Sequence, residues 1–191
     1  MTTTLVTGPV RSGKSRHAED LLAHHAEVLY IATGPLADTA DPEWSARVRH
    51  HQARRAAGWH TVETLALPAA LDDTRHPVLV DCLGTWLAGL VDQVGWDDLG
   101  AASTQVEGAR TELLAALRRA KHPVVLVTNE VGWSLVPETP SGRFFADELG
   151  RLNAAVSAVA HRVHLVVAGR VLDLTAAPLV PELPRSRTLD A

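Results

Sequence analysis

Leu5-Val6-Thr7-Gly8-Pro9-Val10-Arg11-Ser12-Gly13-Lys14-Ser15, near the start of the chain, decides the fold. A short apolar run stops at a glycine, and the residues from Gly8 to Ser15 fit the pattern G-x-x-x-x-G-K-[ST]. A segment of helical character carrying Leu21 and Leu22 follows. In such a loop the backbone N–H groups and the helix N-terminus behind them surround phosphate oxygens. Lys14 would neutralise the β- and γ-phosphates of a nucleoside triphosphate, and the Ser15 hydroxyl would join a Mg²⁺ shell. Gly8, Pro9, Val10, Arg11, Ser12, Gly13, Lys14 and Ser15 are therefore candidate nucleotide-binding residues. The plain alternative is a glycine-rich strand-to-helix turn that binds nothing.

Outward from this loop, short aliphatic runs alternate with longer segments of helical period. Strands are expected at Leu5–Thr7, Val28–Ala32, Val78–Asp81, Val124–Thr128 and Val163–Val167, and they are almost continuously apolar, as strands covered on both faces must be. Helices are expected near 14–25, 43–57, 85–92, 101–121 and 142–161. In the last of these Phe145, Leu149, Leu152, Val156 and Val159 recur at spacings of four and three and mark a core face. Asp92–Gly100 reads as a plain connection between helices. The alternation predicts an α/β fold with a mostly parallel sheet. One domain over 1–175 and a loosely ordered tail over 176–191 are expected, the tail because Pro178, Pro181, Pro184, Arg185 and Arg187 crowd its length.

Composition narrows the function classes. Of 191 residues 46% are apolar, which excludes global disorder, and the length suits one sizeable core. Eighteen Lys and Arg against 22 Asp and Glu give a net charge of −4, which argues against nonspecific nucleic-acid binding as the main task. The single cysteine, Cys82, excludes an internal disulfide and a multi-cysteine zinc site. No apolar run approaches the ~18–20 residues that span a bilayer, and the opening residues lack a secretion signal, so a cytoplasmic protein is expected.

A triphosphate loop needs an acid at the end of a neighbouring strand to hold the water shell of the metal ion. Val78-Leu79-Val80-Asp81 supplies it, and Asp81 joins Ser15 as a candidate Mg²⁺ contact; a helix N-cap is its ordinary alternative. Cys82 reads as a small buried residue rather than a nucleophile. Further on, Arg47-Val48-Arg49-His50-His51-Gln52-Ala53-Arg54-Arg55 packs two histidines and four arginines together. On a helix Arg47, His51 and Arg55 share a face. Flanking guanidinium groups favour the neutral, nucleophilic imidazole and would also bind phosphates. A solvated basic helix face is the alternative. The other histidines have no partners that sequence spacing reveals.

These segments combine with Arg16-His17-Ala18-Glu19, Tyr30-Ile31-Ala32-Thr33, Trp59-x-Thr61-Val62-Glu63, Val80-Asp81-Cys82-Leu83 and Val127-Thr128-Asn129-Glu130-Val131-Gly132. Val136-Pro137-Glu138, Arg143-x-Phe145-x-Asp147-x-x-Gly150-x-x-Asn153 and Leu165-Val166-Val167-Ala168-Gly169 complete the series. In this order, from about 4 to 172, the chain resembles the bifunctional adenosylcobinamide kinase / adenosylcobinamide-phosphate guanylyltransferase family of cobalamin synthesis. The resemblance implies a P-loop NTPase fold of RecA-like kind. It implies phosphorylation of the aminopropanol hydroxyl of adenosylcobinamide by ATP or GTP. Transfer of GMP from GTP to that phosphate would follow through a guanylylated histidine, with release of pyrophosphate. That histidine falls on His51, with Lys14 as the other catalytic residue; His50 takes the role if the register is one residue off. The resemblance further implies Ala32, Thr33, Gly34, Gln52, Ala53, Arg54, Arg55, Glu63 and Asp81 as nucleotide-site residues, and a small homo-oligomer, with a trimer the candidate. Asn129 and Glu130 fall just past a strand end, where open α/β sheets place their ligands.

Four positions depart from the family's usual pattern: Pro9 for a second glycine, Gly84 for threonine, Ala154 for glutamine and His161 for aspartate. None is Lys14, Ser15, Asp81 or His51. Two other readings stay open on the residues alone: a monofunctional small-molecule P-loop kinase, and a nucleotide-binding regulator.

Overall fold

The computed structural model of the chain describes residues 2–34, 58–133 and 135–180. The helix expected over 43–57, with His50 and His51, and all of the expected tail beyond 180 lie outside the described residues. Among the described residues seven strands run β1 Thr3–Thr7, β2 Val28–Ala32, β3 Trp59–Glu63, β4 Val78–Asp81, β5 Val124–Val127, β6 Arg162–Val167 and β7 Arg170–Asp173. Five helices accompany them among the same residues: α1 Lys14–Leu22, α2 Leu67–Asp73, α3 Leu83–Val94, α4 Leu99–Arg119 and α5 Pro140–Val159.

The strands form one sheet in the order β3-β2-β4-β5-β1-β6-β7. All neighbours are parallel except β6 and β7, which form an antiparallel hairpin at one edge. The α/β expectation, mostly parallel sheet included, is borne out. Alternation along each strand sorts the core into two faces. Leu5, Ile31, Val78, Val80, Val124 and Leu126 meet α2 to α5 through Leu71, Leu83, Trp86, Leu113, Leu149 and Leu152. Val6, Tyr30, Leu79, Val125, Val127 and Val166 face the other way, onto Ala18 and Leu22 of α1. Each central strand is thus buried on both sides, which is why it reads as an unbroken apolar run.

Helix ends follow local chemistry. Thr139 caps α5 by accepting from the Gly142 N–H at 3.1 Å, with Pro140 at the first helical position, and Asp98 caps α4 by accepting from Ala101 at 2.9 Å. Gly95 ends α3 with a φ of 108°, so the connection to α4 is a tight turn. The first helix stops at Leu22 rather than 25, leaving His24 and His25 in the turn beyond it. Trp86 is fully buried and donates its indole N–H to the Leu65 carbonyl at 2.7 Å. Trp133 is 60% exposed in this single chain. Among the described residues no helix is long and apolar enough to cross a membrane.

Candidate active site

The carboxyl ends of β1 to β5 make one edge of the sheet, and the register across it is continuous. Glu63 pairs with Ala32, Ala32 with Asp81, Asp81 with Val127, and Val127 with Val6. Three expected site residues, Glu63, Ala32 and Asp81, therefore occupy one row, and the loop from Gly8 begins two residues beyond the row's last member. Glu63 stands on the edge strand, exposed, and Asp81 is two strands from β1.

The loop itself is held from both sides. The Ser12 N–H donates to the Pro9 carbonyl at 3.3 Å, and the Gly169 N–H in the β6–β7 turn donates to the Ser12 carbonyl at 3.1 Å. Arg11 has a φ of 61° and Gly13 a φ of 99°, two left-handed residues that turn the chain into α1; such a conformation at a side-chain-bearing residue costs about 1–3 kcal/mol. The Lys14 ammonium donates to the Pro9 carbonyl at 3.3 Å, so it lies across the start of the loop. Pro9 has no N–H to give a phosphate, but its carbonyl serves both Ser12 and Lys14. Ser12 is buried, and its hydroxyl has no hydrogen-bond partner among the described residues. A buried hydroxyl left unpaired costs about 1–3 kcal/mol, a penalty that a phosphate oxygen in the loop would remove.

Around Asp81 the contacts are long-range in sequence. The Tyr30 hydroxyl donates to its carboxylate at 3.0 Å. Asp81 is not the cap of α3; that position belongs to Cys82. Thr33 is buried, and its hydroxyl lies 2.6 Å from the Cys82 carbonyl, 2.7 Å from the Thr85 hydroxyl and 3.1 Å from the Cys82 N–H. Its side chain therefore fastens the end of β2 to the turn after Asp81. Burial first, and the Asp81 charge next, push the Cys82 thiol up, which agrees with an inert rather than nucleophilic cysteine. Ser15 and Asp81 offer hard oxygen donors, the kind Mg²⁺ takes. No group of three or more His, Cys, Asp or Glu among the described residues could hold a metal ion alone.

Two further residues complete this end of the sheet. The Thr7 hydroxyl donates to Glu130 Oε1 at 2.7 Å, and the Glu130 N–H donates to the Gly8 carbonyl at 3.2 Å. Behind them Asn153 on α5 accepts from the Thr128 hydroxyl at 2.6 Å and donates to the Asn129 carbonyl at 3.0 Å, fixing the turn that presents Glu130. Thr7 and Asn153 were not singled out by sequence for a role; only Asn153's place in the series of shared segments pointed to it. Arg143 reaches the Pro137 and Glu138 carbonyls at 2.9 and 2.7 Å and braces the loop before α5. His161, one of the departures, accepts from the Thr3 N–H at 3.2 Å and so continues the β1–β6 edge. A Cβ on Gly84 would stand 3.4 Å from the Asn129 amide nitrogen. His51, Gln52, Ala53, Arg54 and Arg55 lie outside the described residues.

Comparison with known proteins decides among the readings this edge allows. The model of the cobinamide kinase / cobinamide phosphate guanyltransferase family matches residues 4–174. The chain belongs to this family. It is 40% identical over 178 residues to the bifunctional adenosylcobalamin biosynthesis protein CobU of Escherichia coli K12, covering 86% of this chain and 95% of that one. It is 38% identical to the bifunctional adenosylcobalamin biosynthesis protein CobP of Pseudomonas aeruginosa, covering 92% and 98%. Among solved structures, an ATPase from the type III secretion system of pathogenic bacteria aligns over 86% of this chain and 50% of its own, with a TM-score of 0.51 at 11% identity. A protein of Pyrococcus horikoshii OT3 aligns over 93% and 87%, with a TM-score of 0.50 at 9% identity. At such low identity these likenesses concern the fold alone, and that fold is the one expected from the loop.

Proposed function

We propose that this member of the family carries out both reactions: phosphorylation of adenosylcobinamide by ATP or GTP, then transfer of GMP from GTP to the new phosphate. The observation that carries the reading is the loop from Gly8 to Ser15, with a buried hydroxyl at Ser12 unpartnered among the described residues, set on the same sheet edge as Asp81 in a chain that matches the family over residues 4–174. Lys14 balances the β- and γ-phosphates. Ser15 and Asp81 hold Mg²⁺, which supplies charge neutralisation on the phosphates. Ala32, Thr33, Gly34 and Glu63 line the nucleotide along the strand ends.

In the second reaction an imidazole nitrogen of His51 attacks the α-phosphate of GTP. The N–P bond forms as the bond to pyrophosphate breaks, and the phosphate of adenosylcobinamide phosphate then displaces the histidine. Arg47, Arg54 and Arg55, with Gln52 and Ala53, surround the incoming triphosphate. The protein works in the cytoplasm as a small homo-oligomer, with a trimer as the candidate, on a corrinoid and a nucleotide and not on nucleic acid. Residues 1–175 form its catalytic domain and 176–191 a tail. Incubation with Mg²⁺ and α-labelled GTP is expected to leave an acid-labile, base-stable label on the protein that His51→Ala abolishes. Full labelling of that variant would reject His51. Lys14→Ala is expected to lose phosphoryl transfer, and normal kinase turnover there would reject the loop assignment.

A further inference from the structure

We infer that Glu130 is the general base of the phosphorylation step; the inference rests on the kinase half of the function proposed above. Three acids, Glu63, Asp81 and Glu130, stand at the carboxyl edge of the sheet. Glu63 is on β3 at the far edge, Asp81 on β4 two strands from β1, whereas Glu130 follows β5, the direct neighbour of β1. Glu130 is bonded to the phosphate loop and to the residue that enters it, through the Gly8 carbonyl and the Thr7 hydroxyl.

The Lys14 ammonium is anchored on Pro9. The Glu130 carboxylate is therefore fastened to Thr7, its backbone N–H to Gly8 and the ammonium to Pro9, three consecutive residues, which sets the acid beside the start of the loop whose lysine serves the terminal phosphates. Thr7 occupies Oε1, and Oε2 takes no hydrogen bond among the described residues. The turn is also stiffened for placement: Asn153 grips Thr128 and Asn129 from α5, so Glu130 is carried on a braced strand end rather than a free loop. A general base requires this much: a fixed carboxylate oxygen, open to one proton, beside the reacting phosphate.

The step balances. The substrate hydroxyl oxygen attacks the γ-phosphorus and a new O–P bond forms. The bond from that phosphorus to the β,γ-bridging oxygen breaks, its electron pair leaving with the nucleoside diphosphate. The hydroxyl proton passes to Glu130 Oε2 and later to water. In the second reaction the attacking group is a phosphate already ionised, and no base is needed there.

The test uses the full-length protein, Mg²⁺, ATP, GTP and either adenosylcobinamide or its phosphate. Glu130→Gln keeps an oxygen to accept from Thr7 but cannot take a proton. It is expected to melt as the wild type does, to bind ATP within about twofold, and to lose about 10²–10⁴-fold in kcat for phosphorylation. GMP transfer to supplied adenosylcobinamide phosphate is expected to stay near the wild-type rate. Glu130→Ala is expected to lose phosphorylation as deeply and to regain part of it with added formate. Phosphorylation by Glu130→Gln at the wild-type rate would overturn the assignment, as would equal losses in both reactions or no rescue of Glu130→Ala. If the wild-type protein itself phosphorylates nothing, the kinase reading falls and takes the base with it.

Discussion

A methyl group added at Gly8 tests whether the phosphate loop is shaped by the strand beside it. A Cβ there would stand 2.2 Å from the Val166 carbonyl oxygen and 3.0 Å from the Ser12 hydroxyl. Carbon–oxygen contacts settle at about 3.3 Å or more, so the two backbones must part by roughly 1 Å. Val166 cannot retreat cheaply, because β6 is paired on both sides, Leu165 with Thr7 and Val166 with Val171. The loop must therefore give way. Overpacking of this kind costs about 1–3 kcal/mol. For a chain of this length each kcal/mol lowers the melting temperature by about 2–4 °C, so Gly8→Ala should melt about 2–12 °C below the wild type. A shift of ~1 Å in groups that position a reacting phosphate can cost about 10²-fold in rate, and phosphorylation should fall on that scale. Gly108→Ala is the control: it lies on the exposed face of α4 with no atom within 4 Å of the added methyl, and it should gain about 0.5–1 kcal/mol. Differential scanning fluorimetry and steady-state turnover measure both. Unchanged melting and unchanged turnover in Gly8→Ala would refute the claim that β6 moulds the loop.

Glu148 is buried on α5 and accepts from Arg110 on α4 at 3.5 Å and from Arg151 one turn along its own helix. Glu148→Ala leaves Arg110, only 20% exposed, with the exposed Glu107 at 4.0 Å as its remaining carboxylate, and is expected to cost about 3 kcal/mol, the low end for a broken buried pair because Arg110 keeps that partner and Arg151 keeps its water; urea unfolding showing a loss under about 1 kcal/mol would place the pair among ordinary surface bridges. His17 and His164 share a hydrogen bond of 2.9 Å, so one ring must accept and stay neutral. Burial first, and His164 next, hold His17 below its ordinary 6.5, with Asp20 opposing; burial and His76 do the same to His122. The unfolded chain then binds protons that the folded one refuses, so stability is fully present above about pH 6.5 and declines as pH falls toward the folded values. Melting temperature between about pH 7.5 and 5.5 should drop less in His17→Gln than in the wild type, and an equal slope in the two proteins would contradict this account.

What the sequence displayed, and what it hid, divides along burial. β1, β2, β4, β5 and β6 lie inside the sheet, both faces covered, and each shows as an aliphatic run that needs no partner to be recognised. The two missed strands are the two edges. In β3 Trp59 is partly buried and the next four residues are exposed; every residue of β7 is exposed, so neither carries the apolar signal that burial imposes. The missed helix α2 has seven residues, too few for a 3.6-residue period to repeat convincingly, although Leu67 and Leu71 are fully buried. The same division runs through the site. The loop is local and legible, because contiguous backbone builds it. The contacts that arm it join residues 123 apart for Thr7 and Glu130, 51 apart for Tyr30 and Asp81, and 49 apart for Thr33 and Cys82. No periodicity encodes such pairs. They exist because parallel strands bring their carboxyl ends to one edge, where each crossover delivers a polar residue regardless of its distance in the chain. The histidines that sequence left without roles make the same point, since His17 found His164 only after β6 was laid beside β1. A polar residue just past the end of an interior strand is therefore the feature to seek in such a chain, and Glu130 meets that condition beside the strand that carries the loop.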